Sequence, residues 1–228
     1  MRLQTDRSSL RILVWLVLVL SGISTSYAAP VMGFVPHAAG SYRLEPIQRA
    51  SDGRVLDAHG AKRRLSEFTQ GRVTLLAFMY ASCADPNGCP YAMTVMHEVK
   101  DALEDIARAH GRVRYISMSF DPVRDTPEAL AHNSMGMAHA DSAVEWQFLT
   151  TRSRKELLPI LNGYGQDVGV NVEKVTGKPT GTYSHVLKLF LIDKHSVVRE
   201  IYTTDYLLPD VVLNDIKTLL LEDGVALK

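Results

Sequence analysis

Both cysteines of this chain fall in one stretch, residues 74–97, and that stretch constrains the fold more than any other. Val73 to Tyr80 is a short apolar run, which reads as a buried strand. Asp85-Pro86-Asn87-Gly88 then supplies turn residues. Pro90 suits the first position of a helix, where its missing N–H costs nothing. Cys83 and Cys89 therefore lie between a strand end and a helix N-terminus. The positive end of the helix dipole there favours thiolate over thiol. Only five residues separate the two cysteines. A disulfide closing so short a loop adds modest stability, because the stabilisation grows with loop length. The placement thus predicts a reactive pair, used for redox chemistry or for a metal, and not a passive staple.

The N-terminus predicts export. Arg2, Arg7 and Arg11 form a basic region, Ile12 to Leu20 is apolar throughout, and Ser26-Tyr27-Ala28 fits a small-x-small cleavage site. The expected organisation is a signal peptide over 1–28, a flexible leader over 29–41 and one domain over 42–228, in the periplasm. Retention of the signal as a membrane anchor is the alternative. A spanning helix needs about 20 apolar residues, whereas this run breaks at Ser21-Gly22. Export also makes a disulfide the default state of two cysteines. Lys+Arg and Asp+Glu are both 25, so the charges balance. Nothing in that balance calls for nucleic acid or an anionic membrane surface.

Along the domain, Tyr42 to Ile47 and Arg54 to Leu56 are short strand candidates around the turn residues Ala50-Ser51-Asp52-Gly53, an N-terminal hairpin. Ser66 to Phe68 is a helical turn ended by Gly71. After the cysteine loop, Ala92, Met96, Val99, Leu103 and Ile106 recur at helical spacing, predicting a helix from Pro90 to about Arg108. Val113 to Phe120 is the next strand. Asp125 or Thr126 caps a helix that starts at Pro127 and runs to about Asn133. Trp146 to Leu149 is a short strand, and Ser153 caps a helix to about Leu161. Residues 163–182 read as a long polar loop. Leu187 to Ile192 and Val197 to Tyr202 are a strand pair, and Pro209 to Leu221 is a closing helix. This order predicts a mixed α/β sandwich.

Two thiolates suit a soft ion such as Cu(I), and a third ligand would complete a trigonal site. Among the eight histidines, His185 is the best placed. It precedes an apolar strand, and if that strand runs antiparallel to Val73–Tyr80, its start lies beside the cysteines. A histidine that merely leads into a strand is the competing reading. Asp121, Arg124 and Asp125 read as structural, with Asp121 and Asp125 satisfying backbone N–H groups of a turn and a helix cap. Asp85 reads as a solvated loop carboxylate or as a charge tuning the thiolates. His132, Met135, Met137 and His139 read as ordinary packing at a helix end or as a copper-entry patch. His97 reads as a surface residue.

Three stretches together resemble the SCO/SenC proteins, thioredoxin-fold copper proteins of the periplasm and the mitochondrial inner membrane. They are the apolar strand running into Cys83 and Cys89-Pro90, the segment Ser119-Phe120-Asp121-Pro122-Val123-Arg124-Asp125-Thr126-Pro127, and Ser184-His185 before an apolar strand ending at Asp193. The resemblance spans about residues 42–221. It implies a thioredoxin-like central mixed sheet flanked by helices, and copper held by Cys83, Cys89 and His185. There are two departures. The family's cysteines are usually spaced C-x-x-x-C, whereas five residues intervene here, and two extra residues would have to loop out at Pro86-Asn87-Gly88. Relatives often read D-H-S at the histidine, where this chain reads Ser184-His185-Val186.

Three functions remain open at this level. The first is a copper-binding assembly factor, monomeric, that passes copper to a cuproprotein. By resemblance, that client is the CuA site of a respiratory oxidase subunit. The second is a thiol–disulfide oxidoreductase acting on partner cysteines, with a thiol reductant protein as a candidate partner. In it Cys83 is the exposed attacking thiol and Cys89 the buried resolving one. The third is a noncatalytic binding domain with a structural disulfide.

Overall fold

A computed structural model describes residues 35–106, 109–134, 137, 142 and 144–227. The expected signal peptide and residues 29–34 of the expected leader lie outside the described residues. Residues 36–228 form one unit. Its strands, in chain order, are β1 Gln48–Arg49, β2 Arg54–Asp57, β3 Lys62–Arg64, β4 Val73–Met79, β5 Val113–Ser119, β6 Val144–Thr150, β7 Val168–Val172, β8 Pro179–His185, β9 Leu189–Ile192 and β10 Val197–Tyr202. The helices are α1 Ser66–Thr69, α2 Cys89–Glu104, α3 Pro127–Asn133, α4 Arg154–Gly163 and α5 Pro209–Glu222.

Eight strands make one mixed sheet in the order β1-β10-β9-β4-β5-β6-β2-β3. β4, β5 and β6 run parallel, and β9 lies antiparallel to β4 on its other side. The strands at 73–79, 113–119 and 189–192 thus share the central sheet, as their apolar character predicts. The centre of β4 is buried on both faces, as expected for a strand covered by helices on each side. Successive residues still point opposite ways. Leu75 and Ala77 face a core with Val95, Met96 and Val99 of α2 and Val212 and Ile216 of α5. Leu76 and Phe78 face a second core with Phe68 of α1 and Leu157 and Ile160 of α4. Each large side chain buried in this way contributes about 1.5–3 kcal/mol.

Two expectations are corrected at the edges. An N-terminal hairpin exists, but its arms are β2 and β3. The 42–47 segment is not an arm of it. Instead the chain continues into β1, which pairs with β10 at the opposite edge of the sheet. The turn residues 50–53 therefore carry the chain from one edge to the other. The supposed polar loop 163–182 holds most of a second, two-stranded sheet, β7 paired with β8. Val168-Gly169-Val170-Asn171-Val172 alternates as a strand should, and the Gly, Lys and Thr around it mask the pattern. The hairpin turn closes through Gly177 N–H to the Glu173 carbonyl at 2.8 Å, with Gly177 at φ +68°.

The end of the expected leader is tied to the closing helix. The Asn214 amide donates to the His37 carbonyl at 3.0 Å, and Gly40 N–H donates to Thr218 Oγ1 at 2.9 Å. The Tyr42 and Tyr202 hydroxyls both donate to the Asp215 carboxylate, which burial pushes above the usual carboxylate range.

Candidate metal centre

The cysteine loop leaves β4 at Met79 and closes on the first residue of α2. Cys83 N–H donates to the Tyr80 carbonyl at 3.2 Å. The two extra residues loop out in a turn around Asp85. Its carboxylate accepts from Asn87 N–H, and its carbonyl accepts from Gly88 N–H, each at 3.0 Å. Gly88 is buried, and a Cβ there would lie 3.4 Å from the Cys83 sulfur. The loop therefore turns in tightly just before Cys89. The helix starts at Cys89, one residue before the sequence suggests, with Pro90 following.

The S-x-D-P-x-x-D-T-P segment holds this loop from the other side. Asp125 is buried. Its Oδ2 accepts from Ala81 N–H at 3.1 Å and from the Ser119 hydroxyl at 2.5 Å. The Ser119 hydroxyl in turn accepts from Asp121 N–H at 3.0 Å. Asp125 thus ties the cysteine loop to the end of β5, and the hydroxyl of Thr126 caps α3 by accepting from Ala129 N–H. The expected roles of the acidic pair are only partly met: Asp125 accepts a backbone N–H, but from Ala81 of the cysteine loop and not at a helix cap, and the Asp121 carboxylate accepts from Arg124 Nε.

His185 is the last residue of β8, not the end of an irregular loop. β9 starts opposite Ala77, near the C-terminal end of β4, so the residues before it reach past that end toward the cysteines. One ligand atom from each of Cys83, Cys89 and His185 lies within 4.8 Å of the others. The widened cysteine spacing has not moved Cys89 out of reach. The Nδ1 of His185 is buried without a hydrogen-bond partner among the described residues. Its ring packs on Phe120 at 4.9 Å and on Tyr80 at 6.4 Å between centroids.

The two thiols differ. Cys89 is buried and Cys83 is half-buried, and both are free. Burial, with the Cys83 thiol beside it, pushes the Cys89 thiol up to about 12. This corrects the expectation from the helix dipole. Desolvation penalises the thiolate more than the helix N-terminus favours it, so the metal-free Cys89 is a thiol at neutral pH. Beside the pair opens a cavity of about 210 Å³, walled by both cysteines, Met79, Met93, Met137 and Phe148, with Ser119 and Asp125 also in its lining.

The other candidates fall elsewhere. His97 is half-buried, with its ring 4.9 Å from that of Trp146. Asp85 is an exposed loop carboxylate. Met135 and His139 lie outside the described residues, while His132 is exposed and Met137 lines the cavity. Sequence reasoning missed the aromatic setting of His185, formed by Tyr80, Phe120 and Tyr183. Its signal was present in Thr180, Thr182 and Tyr183, strand formers on either side of Gly181, with Tyr183 two residues before His185.

Known structures share this architecture. Copper-bound ScoI of Arabidopsis thaliana superimposes with a TM-score of 0.62 at 16% identity, covering 76% of this chain and 98% of that one. Apo Sco1 of Thermus thermophilus gives 0.62 at 22% identity, covering 82% and 100%. BsSco, described as having a disulfide switch and as a member of the Sco family of cytochrome c oxidase assembly proteins, gives 0.56 at 22%, covering 78% and 98%. At these identities the likeness shows the thioredoxin-like fold. No curated protein sequence matches the chain. The family model described as SCO1/SenC matches residues 50–221, well over half of the sequence, so the chain belongs to the SCO1/SenC family.

Proposed function

We propose that this protein is an exported, monomeric copper-binding assembly factor that holds copper through Cys83, Cys89 and His185 and delivers it to a cuproprotein. The observation that carries this is the convergence of two sulfurs and an imidazole nitrogen within 4.8 Å. The donor set fits the cargo. Two thiolates and one imidazole are soft and borderline ligands that suit Cu(I), and an added ligand adapts them to Cu(II). The buried, unpartnered Nδ1 of His185 marks a ring not committed at that atom to a hydrogen bond within the protein. Loading must displace the Cys89 proton, because burial keeps that thiol protonated and metal ligation requires the thiolate. Three ligands leave room for an incoming donor, which suits handover better than a closed four-ligand cage.

The client we favour is the copper site of a respiratory oxidase, in keeping with the assembly role named for BsSco. Export to the periplasm follows from the basic, apolar and small-residue pattern of residues 2–28, with cleavage near Ala28.

The thiol–disulfide oxidoreductase reading has its own support in the asymmetry of the pair. The half-buried Cys83 is the accessible attacker and the buried Cys89 the resolving thiol. Attack by the Cys83 thiolate on a partner disulfide would form a mixed disulfide and release one partner thiol. The Cys89 thiolate would then displace the second, leaving Cys83–Cys89 oxidised and the partner reduced. His185→Ala separates the readings. Copper affinity, measured by competition with a Cu(I) chelator, is expected to fall sharply while thiol titration shows an intact, reversible disulfide. Unchanged affinity would remove the three-ligand site and leave the oxidoreductase in its place.

A further inference from the structure

His185 is the only one of the three ligands that does not belong to the strand–loop–helix unit. It comes from β8, which pairs with β7 outside the main sheet. Something must fix its ring against the sulfurs. Tyr183 and His185 are two residues apart on one strand and so project from the same face, and both are half-buried between exposed neighbours. Both rings meet the same pair of partners. Tyr183 lies 5.2 Å from Tyr80 and 5.5 Å from Phe120, each edge-on. Where Tyr183 sits, His185 follows.

Tyr183 also meets Arg124. Its guanidinium stands over the Tyr183 ring at 5.7 Å and over the Tyr80 ring at 6.0 Å. Its Nε donates to the carboxylate of the buried Asp121, which fixes the direction of the fork. The backbone of β8 comes close enough that a Cβ on Gly181 would lie 3.1 Å from Arg124 Nη1, and Gly181 has φ +81°. β8 shifts register between Pro179 and Tyr183, and alternation holds from Tyr183 to His185, so the guanidinium over the Tyr183 ring lies along the face that ends at the imidazole. The Arg124 side chain is 42% exposed, which sets it apart from the residues that build the cores.

We propose that Arg124 is a positioning residue for His185, clamping Tyr183 of the hairpin onto Tyr80 at the end of β4 so that the imidazole is presented to the two sulfurs. The proposal rests on the copper reading above for its consequence, and on the hairpin geometry alone for the clamp. A planar guanidinium stacks on two rings while bonding a carboxylate, which an ammonium does not reproduce.

The test uses the full chain and three variants, Arg124→Ala, Arg124→Lys and His185→Ala, with two readouts. In the metal-free protein, the ring protons of His185 sense the Phe120 and Tyr80 rings and are followed by NMR. In the second, Cu(I) itself is titrated against a chelator. Arg124→Ala is expected to move the His185 ring signals toward those of an exposed histidine. It should weaken Cu(I) binding by about 10–100-fold, the usual cost of losing a group that orients a ligand, while the urea midpoint and disulfide formation stay near those of the parent. Arg124→Lys should recover part of both effects. If Arg124→Ala unfolds the chain, Arg124→Lys carries the test, with smaller shifts of the same sign expected. Parent-like ring signals and affinity in the Arg124 variants, beside a weakened His185→Ala, overturn the clamp and leave the copper site standing. Unchanged affinity in His185→Ala overturns the copper site, and the ring signals then decide the clamp by themselves.

Discussion

The two halves of the site are built differently. The cysteine half grows out of the middle of the sheet. β4 is paired on both sides, its side chains fill both cores, and Asp125 ties the following loop to β5. The histidine half is an appended hairpin. β7 and β8 pair only with each other among the described residues, and Val170, Val172 and Val186 stay exposed. The hairpin is fastened at its base by the Gln166 amide donating to the Val186 carbonyl at 3.0 Å and by Lys188 donating to the Gly165 carbonyl at 2.7 Å. Its face is held through Tyr183 and His185 against Tyr80 and Phe120. Two thiols are thus fixed by the fold, and one imidazole is delivered to them by an element that few contacts restrain. On the copper reading proposed above, that asymmetry suits ligand exchange, since ligand-binding elements are drawn from the less stable parts of a fold.

Stability measurements are the first way to break the comparison. Phe78 is fully buried on β4, edge-on to Phe190 and Tyr164. Phe78→Ala should cost about 3–5 kcal/mol in urea unfolding, whereas Val172→Ala, on a side chain 54% exposed, should stay within about 0.5 kcal/mol. Equal losses would mean that the hairpin is as integral as the sheet. A smaller effect is expected at the joint. Asp125→Ala leaves Ala81 N–H and the Ser119 hydroxyl without their acceptor, at about 1–3 kcal/mol, and it should loosen the Cys83 side of the loop in amide hydrogen exchange while β7 and β8 exchange as before. Loss of protection in the hairpin as well would show the two halves to be one unit.

The smallest effect is a pH dependence. Burial pushes Asp125 above the usual carboxylate range, and Asp121 adds to the rise, while Ser119, Ala81 N–H and Arg124 oppose it. The folded state therefore holds this proton more tightly than the unfolded chain does. The associated stability is complete below the unfolded value, near about 3.9, and is lost as pH rises through the higher folded value. Asp125→Asn removes that slope, so its stability relative to the parent should improve as pH rises across this window. A constant difference between the two proteins would place the Asp125 proton outside the folding balance.

Much of the cysteine half was legible in the chain. The apolar run from Val73, the breakers at Asp85 to Gly88 and the Pro at position 90 each act over a few residues, and local steric and hydrogen-bonding preferences suffice to read them. Thr126 and Ser153 cap the helices they precede for the same reason. The hairpin was not legible as a strand pair. Its alternation is short and diluted by Gly and Lys, and its half-exposed faces leave a weak hydrophobic signal. The 42–56 segment failed differently. A turn signal between two strands suggests a hairpin, and nothing local tells a hairpin from a crossing to the other edge of the sheet.

The sequence by itself determined where the thiols sit, and that His185 is the histidine at the threshold of a later apolar strand. Those features rest on patterns within single segments. Only the tertiary structure decided that the five-residue spacing still lets the sulfurs converge, that burial outweighs the helix dipole at Cys89, and that Arg124, Tyr183 and Tyr80 stand between the hairpin and the sheet. Each of these is a balance among groups distant in the chain. Desolvation and packing depend on what surrounds a side chain, and residue order alone does not specify those surroundings.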